Sequence, residues 1–205
     1  MYLVRTPSLV KPLARDFVWS IPTSEQELYI TFDDGPTPGV TDTALDILKK
    51  YEAKATFFCL GKNVVEHPAL YQRILNEGHS IGNHSWDHPD GWKTSDISYL
   101  KNALRAGQHI QSGLFRPPYG RITLSQAKAL RKKYQLIMWT VLSADFDPAV
   151  SPEKCLTNVL SNIDNGSIIV FHDSLKAKKN MLYALEESLK FFCEEGYTLR
   201  PITSP

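Results

Sequence analysis

The sequence predicts an α/β protein built on parallel β-strands, and three observations support this prediction. Short apolar or β-branched segments alternate seven times with segments whose apolar residues recur at helical spacing. Glycine or proline ends most of these segments, and 205 residues is a usual length for one domain with a substantial core. Strands connected through helices run parallel, so this pattern leaves two architectures open, a barrel and a doubly wound sheet.

The alternation divides the chain into seven strands and six helices. The strands are predicted at 28–32, 55–60, 79–83, 114–116, 135–142, 166–171 and 197–200. The helices are predicted at 40–51, 63–77, 95–112, 124–133, 151–163 and 178–195. Residues 1–26 contain several prolines and show neither pattern, so they are expected to be an N-terminal extension packed irregularly on a domain that spans 27–205.

The composition argues against several classes of protein. The formal net charge is +1 and no basic block is present, so neither nucleic acid nor an anionic membrane is an expected partner. No apolar block is long enough for a signal-peptide core or a membrane span, and a cytoplasmic location is therefore expected. Cys59, Cys155 and Cys193 are widely spaced and include no CxxC pair, which predicts buried reduced thiols.

Two adjacent carboxylates, Asp33 and Asp34, end the first predicted strand, and Gly35 and Pro36 then force a turn. Neighbouring carboxylates raise each other's pKa unless a positive charge lies between them, and a bound divalent cation would supply that charge. Adjacent strand residues point to opposite faces, so one carboxylate could hold a metal while the other handles protons. An ordinary Asp-Asp-Gly-Pro turn is the alternative interpretation.

Polar residues follow five of the predicted strands. In parallel α/β folds the carboxyl ends of the strands form one rim, and functional sites are built there. The sequence therefore predicts a single site that collects these rim residues. They are Asp33, Asp34, Asn83, His84, His88, Arg116, Tyr119, Asp145, Asp147, His172 and Asp173.

His84 and His88 are spaced four residues apart. On one helical turn this spacing places both imidazoles on one face at chelating distance. Pro89 follows directly and ends any helix, so the pair lies either on a single turn or on a loop. Two histidines with one aspartate are a donor set typical of catalytic zinc, whereas two solvated histidines are the alternative interpretation.

Five ordered motifs resemble those of the polysaccharide deacetylases of the NodB-homology type, carbohydrate esterase family 4. They are Thr-Phe-Asp-Asp-Gly-Pro (31–36), His-Ser-x-x-His (84–88), Arg-Pro-Pro-Tyr (116–119), Asp-Phe (145–146) and Val-Phe-His (170–172). Their order and spacing match over about residues 27–202. The resemblance implies a distorted, TIM-barrel-like (β/α)7 barrel of parallel strands. It also implies a metal-dependent hydrolase that removes acetyl groups from N-acetylglucosamine-containing carbohydrate, of the peptidoglycan or chitin type.

The resemblance also assigns roles to residues of this chain. The metal would be a divalent ion, with zinc expected and cobalt or another divalent ion as alternatives. The implied ligands are Asp34, His84 and His88. The implied catalytic residues are Asp33 as general base, Arg116 as its partner, Tyr119 as donor of a backbone N–H to the oxyanion, His172 as general acid and Asp145 as the residue that orients His172. Asp147 and Asp173 are rival partners for His172.

The motifs depart from the family pattern at two positions. Phe146 stands where the family often has tryptophan, and Leu142 stands where it often has aspartate, so both departures concern the substrate pocket. Three functions therefore compete: an N-deacetylase, an O-deacetylase such as an acetylxylan esterase, and a catalytically silent carbohydrate-binding relic. A relic has no reason to keep base, ligands and acid together, which disfavours the third.

Overall fold

Nine strands and seven α-helices form the part of the chain that the computed structural model describes, residues 2–7 and 16–203. The strands are β1 (Phe17–Val18), β2 (Glu27–Asp33), β3 (Ala55–Cys59), β4 (Ser80–Asn83), β5 (Leu114–Phe115), β6 (Gln135–Ile137), β7 (Val141–Leu142), β8 (Ile168–His172) and β9 (Thr198–Leu199). The helices are α1 (Thr41–Lys50), α2 (Gly61–Glu66), α3 (Pro68–Asn76), α4 (Asp96–Ala106), α5 (Leu124–Leu130), α6 (Pro152–Leu160) and α7 (Lys178–Glu194).

The strands form one curled parallel sheet in the order β1-β6-β5-β4-β3-β2-β8-β7, with β9 paired to β2. Only residues 138–140 separate β6 from β7, although the two strands lie near opposite ends of this order. The chain itself therefore joins the two ends, and the sheet curls into a distorted barrel. The predicted parallel barrel is confirmed, and the doubly wound sheet is excluded.

The single strand predicted at 135–142 is wrong, because two strands occupy this range. The N–H of Met138 donates to the carbonyl of Val18, whereas the N–H of Thr140 donates to the carbonyl of Ile168. The backbone on either side of Trp139 thus bonds to different neighbours, and the apolar run does not reveal that change of partner. The predicted count of seven strands also omitted β1, which is too short to show a period.

The helix predicted at 63–77 is two helices, α2 and α3, which meet at His67 and Pro68. Proline lacks the N–H that an α-helix needs, and it disfavours helical geometry in the residue before it. His67 accordingly has φ −127° and ψ 57°. Pro68 instead begins the second helix, a position that tolerates proline because the first N–H groups have no helical partner.

The central strand β2 is buried on both faces. Ile30 and Phe32 belong to the apolar cluster beneath the helices, and Phe32 stacks on Phe57 of β3 with ring centroids 4.7 Å apart. Tyr29 belongs to a second cluster made with other strands. The register places Asp33 opposite His172 of β8, so the carboxyl ends of these strands lie level at one rim.

The described parts of the predicted extension pack on the barrel through backbone hydrogen bonds. Strand β1 pairs in parallel with β6. Near the start of the chain, the Leu142 N–H donates to the Val4 carbonyl and the Thr6 N–H donates to the Thr140 carbonyl. The start of the chain therefore bonds to the backbone on both sides of Trp139, where β6 gives way to β7. Residues 1 and 8–15 of the predicted extension lie outside the described residues.

Two of the three cysteines match the prediction of buried thiols. Cys59 and Cys155 are free and buried, whereas Cys193 is exposed, so the prediction is wrong for Cys193. Successive residues of a helix point about 100° apart, and the neighbouring Phe192 takes the buried direction on α7. No helix in the described ranges has both the length and the apolar character needed to cross a membrane.

Candidate active site and metal centre

The end of β2 brings Asp33 and Asp34 to the same centre. Asp34 has φ 85°, so the backbone leaves the strand in a left-handed conformation. His84 Nε2 lies 3.8 Å from Asp33 Oδ2 and 3.9 Å from Asp34 Oδ1. The expectation that the two carboxylates would point to opposite faces is therefore wrong, because Asp34 lies beyond the end of β2 and does not continue its alternation.

Asp173 holds this turn in place. Its Oδ1 accepts from the Gly35 N–H at 2.9 Å, and its Oδ2 accepts from the Thr41 hydroxyl at 2.5 Å. A Cβ atom on Gly35 would lie 1.9 Å from Asp173 Oδ2, so no side chain fits at that position. Burial raises the pKa of Asp173 to about 7. From the sequence, Asp173 was predicted only as a rival partner for His172. Its role in holding the turn was not predicted, although its position at a strand end placed it near the site.

The loop 84–88 presents the two histidines. Ser85 and His88 have φ 73° and 67°, so the pair lies on a loop, one of the two arrangements left open by the sequence. The Ser85 N–H donates to Asn83 Oδ1 at 2.7 Å, and the His88 N–H donates to Ser85 Oγ at 3.1 Å. His84 Nδ1 lies 2.8 Å from the Arg116 carbonyl oxygen, which leaves Nε2 directed to the centre.

Asp34, His84 and His88 each offer one ligand atom, and these three atoms lie within 4.8 Å of one another. Asp34 Oδ1 is 3.4 Å from His88 Nε2 and 3.9 Å from His84 Nε2. Two ligands of a tetrahedral zinc ion lie about 3.4 Å apart. Burial lowers the pKa of both histidines and keeps the imidazoles neutral, as metal ligation requires. The donor set therefore fits a divalent ion of the zinc type.

Arg116 is fully buried beneath this centre and fixes Asp33. Its Nη1 donates to Asp33 Oδ1 and to the Thr31 hydroxyl, each at 2.7 Å. Its Nε and Nη2 donate to the carbonyls of Ile137 and Met138, at 3.3 and 3.0 Å. A buried ion pair is tolerated when further hydrogen bonds satisfy both groups. Asp33 Oδ1 is thereby occupied, and Oδ2 faces the candidate metal ligands.

Partly buried His172 and buried Asp145 form a second pair at the barrel rim. His172 Nδ1 lies 2.8 Å from Asp145 Oδ1, and the His172 N–H donates to Asp145 Oδ2 at 2.8 Å. Burial would lower the pKa of His172, but the charge and hydrogen bond of Asp145 raise it to about 9. Asp147 instead accepts from the Tyr2 hydroxyl at 2.7 Å. Among the described residues, Asp145 is the one of these three aspartates that hydrogen-bonds to the His172 ring, since the Asp173 carboxylate bonds to Gly35 and Thr41.

Tyr119 lies in a single 3₁₀ turn, Pro118–Gly120, with φ 58°. The Gly120 N–H donates to the Pro117 carbonyl at 3.0 Å, so the Tyr119 N–H precedes the first hydrogen bond of the turn. The ring of Tyr119 packs edge-on against His88, with centroids 4.3 Å apart. The ring of Tyr119 therefore lies beside one of the candidate metal ligands.

One cavity of about 570 Å³ is lined by the three candidate metal ligands and also by Asp33 and His172. Phe146 and Leu142, the two departures from the family pattern, both line it. Phe146 packs edge-on against His172 at 5.0 Å and against Tyr2 at 5.2 Å between ring centroids. The wall beside His172 is therefore apolar, and the start of the chain contributes to it. Tyr2 was not predicted as a site residue, because no pattern in residues 1–26 indicates proximity to the site.

TIM-barrel enzymes have their active sites at the carboxyl ends of the parallel strands, which is where this chain collects its acidic and histidine side chains. The sequence model of the family described as "Polysaccharide deacetylase" matches residues 20–136. A peptidoglycan-N-acetylglucosamine deacetylase of Bacillus cereus is 34% identical over 189 residues, covering 87% of each chain. The chain belongs to the polysaccharide deacetylase family, with its NodB homology, and it is accordingly a carbohydrate deacetylase, a hydrolase.

Solved structures agree with this assignment. The crystal structure of the Bc1960 peptidoglycan N-acetylglucosamine deacetylase superimposes with a TM-score of 0.88 at 30% identity, covering 97% of this chain and 98% of that chain. A CE4 family pseudoenzyme from Bacillus anthracis, BA3943, also superimposes, with a TM-score of 0.78 at 25% identity, covering 90% and 66%. The fold is thus shared by an enzyme and a pseudoenzyme, so catalytic activity depends on the residues of the site.

Proposed function

We propose that this chain removes acetyl groups from N-acetylglucosamine units of peptidoglycan- or chitin-type glycans or their oligosaccharides, with a divalent metal. The observation that carries the proposal is one cavity that contains the Asp34, His84 and His88 cluster, the Arg116-bound Asp33 and the Asp145-bound His172. The Bacillus cereus relative, which acts on N-acetylglucosamine of peptidoglycan by its name, supports the substrate class.

Asp34, His84 and His88 would hold the metal, with zinc as the expected ion and cobalt or another divalent ion as alternatives. When bound, such an ion polarises a carbonyl oxygen and lowers the pKa of water. Asp33 is the proposed general base, because Arg116 occupies its Oδ1 while Oδ2 faces the ligands and remains able to accept a proton.

The proposed oxyanion donor is the backbone N–H of Tyr119. A fixed N–H beside a reacting carbonyl stabilises the negative charge that develops on its oxygen. His172 is the proposed general acid. Asp145 accepts from its Nδ1, which leaves Nε2 as the group that can deliver a proton to the leaving amine. An amine leaves poorly without that proton, so a histidine held in the charged form suits an amide substrate.

Two other functions use the same scaffold. An O-deacetylase would need the same base and oxyanion donor but would depend less on the acid, since an alkoxide leaves more easily than an amine anion. The second is a catalytically silent binding protein, and the pseudoenzyme shows that this fold can occur without activity. It is disfavoured here because the candidate metal ligands, the candidate base and the candidate acid line one cavity.

Acetate release separates these functions. The purified protein is incubated with chitooligosaccharides and with acetylated xylan, before and after treatment with a chelator and re-addition of zinc or cobalt. We expect chelator-sensitive release from the chitooligosaccharides. Release from acetylated xylan alone would favour the O-deacetylase, and no release from either substrate with zinc or cobalt supplied would favour the binding protein.

We further propose that residues 27–205 form the deacetylase domain and that 1–26 are an extension packed on it. The pairing of β1 with β6 and the bonds from Val4 and Thr6 support this division. A chain that starts at residue 27 should remain folded, with a lower unfolding temperature. The cytoplasmic location stays a prediction, which cell fractionation would test.

A further inference from the structure

The loop 84–88 carries both candidate histidine ligands but does not have the hydrogen-bond pattern of a helix. Ser85 and His88 have φ angles of 73° and 67°, which cost free energy in residues other than glycine. On a helix, backbone hydrogen bonds would fix the spacing of two histidines four residues apart. On this loop, contacts from neighbouring elements must fix that spacing instead.

Backbone groups hold the first part of the loop. The His84 N–H donates to the Cys59 carbonyl at 2.9 Å. The carbonyls of Ser85 and Trp86 accept from the N–H groups of residues 61 and 62 at the start of α2, at 2.9 and 3.1 Å. Backbone groups are present in any sequence, so these bonds place the loop beside α2 without depending on a particular side chain.

Asn102 of α4 contacts the part of the loop that directly precedes His88. Its Oδ1 accepts from the Trp86 N–H at 2.7 Å, and its Nδ2 donates to Asp87 Oδ1 at 2.6 Å. A backbone N–H can only donate and a carboxylate can only accept, so the two bonds together fix the orientation of the amide. One side chain thus restrains two consecutive residues of the loop.

Helix α4 is a rigid base for this contact, because its Tyr99, Ala103 and Ala106 are buried. Two further bonds tie the same turn of the helix to the loop. Asn83 Nδ2 donates to the Ala103 carbonyl at 2.9 Å, and the guanidinium carbon of Arg105 lies 3.6 Å from the centre of the Trp86 ring. The loop therefore cannot move away from α4 without losing several contacts.

The contact with Asn102 bears on His88 more than on His84. The imidazole of His84 has its own bond, from Nδ1 to the Arg116 carbonyl oxygen at 2.8 Å. His88 depends on the backbone that leads to it, and its Nε2 must stay near Asp34 Oδ1, which is 3.4 Å away. Partners that orient the ligands of a metal typically change its affinity by about 10- to 100-fold.

We infer that Asn102 is a positioning residue, which holds the loop 84–88 in the conformation that brings His88 to His84 and Asp34. The inference rests on the proposed function for the role of these three residues as metal ligands. It assigns control of the affinity for zinc to a residue of α4 that lies outside the described lining of the cavity.

Zinc titration of the full chain, freed of metal with a chelator, tests this role. Asn102→Ala should weaken zinc binding about tenfold or more, because His88 must then be ordered at the moment of binding. The matched control is Asn162→Ala. Asn162 is also partly buried and donates to the Asn158 carbonyl at 2.9 Å, away from the cavity lining, so zinc affinity should not change. An equal loss of affinity in Asn162→Ala would overturn the inference.

Exchange of the two hydrogen-bonding side chains tests the bonds themselves. Asn102→Asp alone should also weaken zinc binding, since two carboxylates would then face each other. Asn102→Asp combined with Asp87→Asn offers an acceptor to the Trp86 N–H and an amide donor to that acceptor, so both bonds can form again. Most of the zinc affinity should return in this double variant. Affinity that stays low would overturn the inference, because the two bonds would not be its cause.

Amide hydrogen exchange in the metal-free protein separates this inference from the proposed function. Asn102→Ala should speed exchange in the segment 84–88 and leave β8 unchanged. Unchanged exchange in that segment, or unchanged zinc affinity, would overturn the inference while zinc binding and acetate release by the native protein upheld the function. Faster exchange in Asn102→Ala, with a native protein that neither binds zinc nor releases acetate, would uphold the hold of Asn102 on the loop and overturn the function.

Discussion

Arg116 illustrates how individual residues of the site satisfy charge in a dry environment. Its guanidinium is fully buried, yet it donates to Asp33, Thr31 and two backbone carbonyls and also lies 4.1 Å from the centre of the Phe58 ring. Removing one partner of a buried pair leaves an unpaired charge, which costs about 3–5 kcal/mol. Arg116 therefore holds Asp33 in place and also stabilises the fold around it.

The two adjacent carboxylates should respond differently to the same substitution. Asp33→Asn removes a proton acceptor and should lower kcat by a factor of about 100 or more, while the protein keeps its metal. Asp34→Asn removes a ligand charge and should weaken the metal itself. Metal content by elemental analysis and acetate release together measure the two effects.

The unsubstituted protein is the reference for both variants, and their unfolding temperatures show whether the fold is retained. Equal metal loss in Asp33→Asn and Asp34→Asn would mean that the roles of the two carboxylates are assigned wrongly.

Asp145 should control the pH range in which His172 can act as an acid. The pKa of His172 is raised to about 9, so the protonated form is present below that value and is lost as the pH rises through it. Asp145→Asn removes the charge that raises this pKa, and the alkaline limb of the pH–rate profile should move to lower pH by about one to two units. Acetate release measured from pH 6 to about pH 10 would show the shift.

Asp147→Asn is the matched control for this experiment. Asp147 contacts Tyr2 and not His172, so the alkaline limb of the pH–rate profile of the Asp147→Asn variant should stay where it is in the native protein. A shift in Asp147→Asn with none in Asp145→Asn would contradict the proposed pair.

Among the structural elements, the turn after β2 determines where the candidate ligands lie. The Gly35 N–H donates to the Asp173 carboxylate, which also accepts a hydrogen bond from the Thr41 hydroxyl at the start of α1. Strand, turn and helix are thus tied to β8 through one buried side chain. Asn63 adds a bond from α2, since its amide donates to the Asp34 carbonyl at 2.8 Å. The position of Asp34 therefore depends on contacts from three other elements.

Gly35→Ala should displace this turn. The added methyl group would overlap the Asp173 carboxylate, so the turn must shift, and zinc affinity should fall about tenfold or more because Asp34 moves with it. Zinc titration by calorimetry measures the change. Gly39→Ala is the control, since Gly39 has φ 73° and a Cβ there would meet nothing within 4 Å.

Gly39→Ala should lower the free energy of unfolding by about 1–2 kcal/mol through backbone strain alone and leave zinc affinity intact. Equal zinc affinity in Gly35→Ala and the native protein would show that the Asp173 contact does not position the ligand.

At the scale of the whole molecule, the barrel joins chain segments that are far apart in sequence into one rim. The pairing of β2 with β3 and β8 sets Asp33, Phe58 and His172 at one level. The hydrophobic cluster beneath α1 and α7 supports this arrangement from outside. The start of the chain adds a further wall, through Tyr2 and its bond to Asp147. The candidate site is therefore a product of the whole fold.

Metal binding should stabilise the whole molecule. A ligand that binds only the native state raises the free energy of unfolding by about 4 kcal/mol at a thousandfold excess over its Kd. Zinc should therefore raise the unfolding temperature by several degrees, and a chelator should reverse the increase; thermal scans with and without zinc measure it. In His88→Ala the increase should disappear. An unfolding temperature that is indifferent to zinc in the native protein would contradict the metal centre.

The sequence by itself determined the alternation of strands and helices, the parallel direction of the strands and the positions of polar residues at strand ends. Periodicity and turn residues are local signals, so these features can be recognised without the fold. The positions of Asp33, His84, Arg116, Asp145 and His172 at or just after the ends of their strands belong to this group, and their catalytic or ligand roles stay predictions.

The tertiary structure decided what depends on distant partners. The break between β6 and β7 follows from the bonds of Met138 and Thr140 to different strands. Asp173 meets Gly35 across 138 positions of sequence, and Tyr2 meets Asp147 across 145. Local patterns carry no information about such pairs, because the contacts form only when the sheet curls and sets separate loops side by side. For the same reason the hydrogen bonds between Asn102 and the loop 84–88 became visible only in the folded chain.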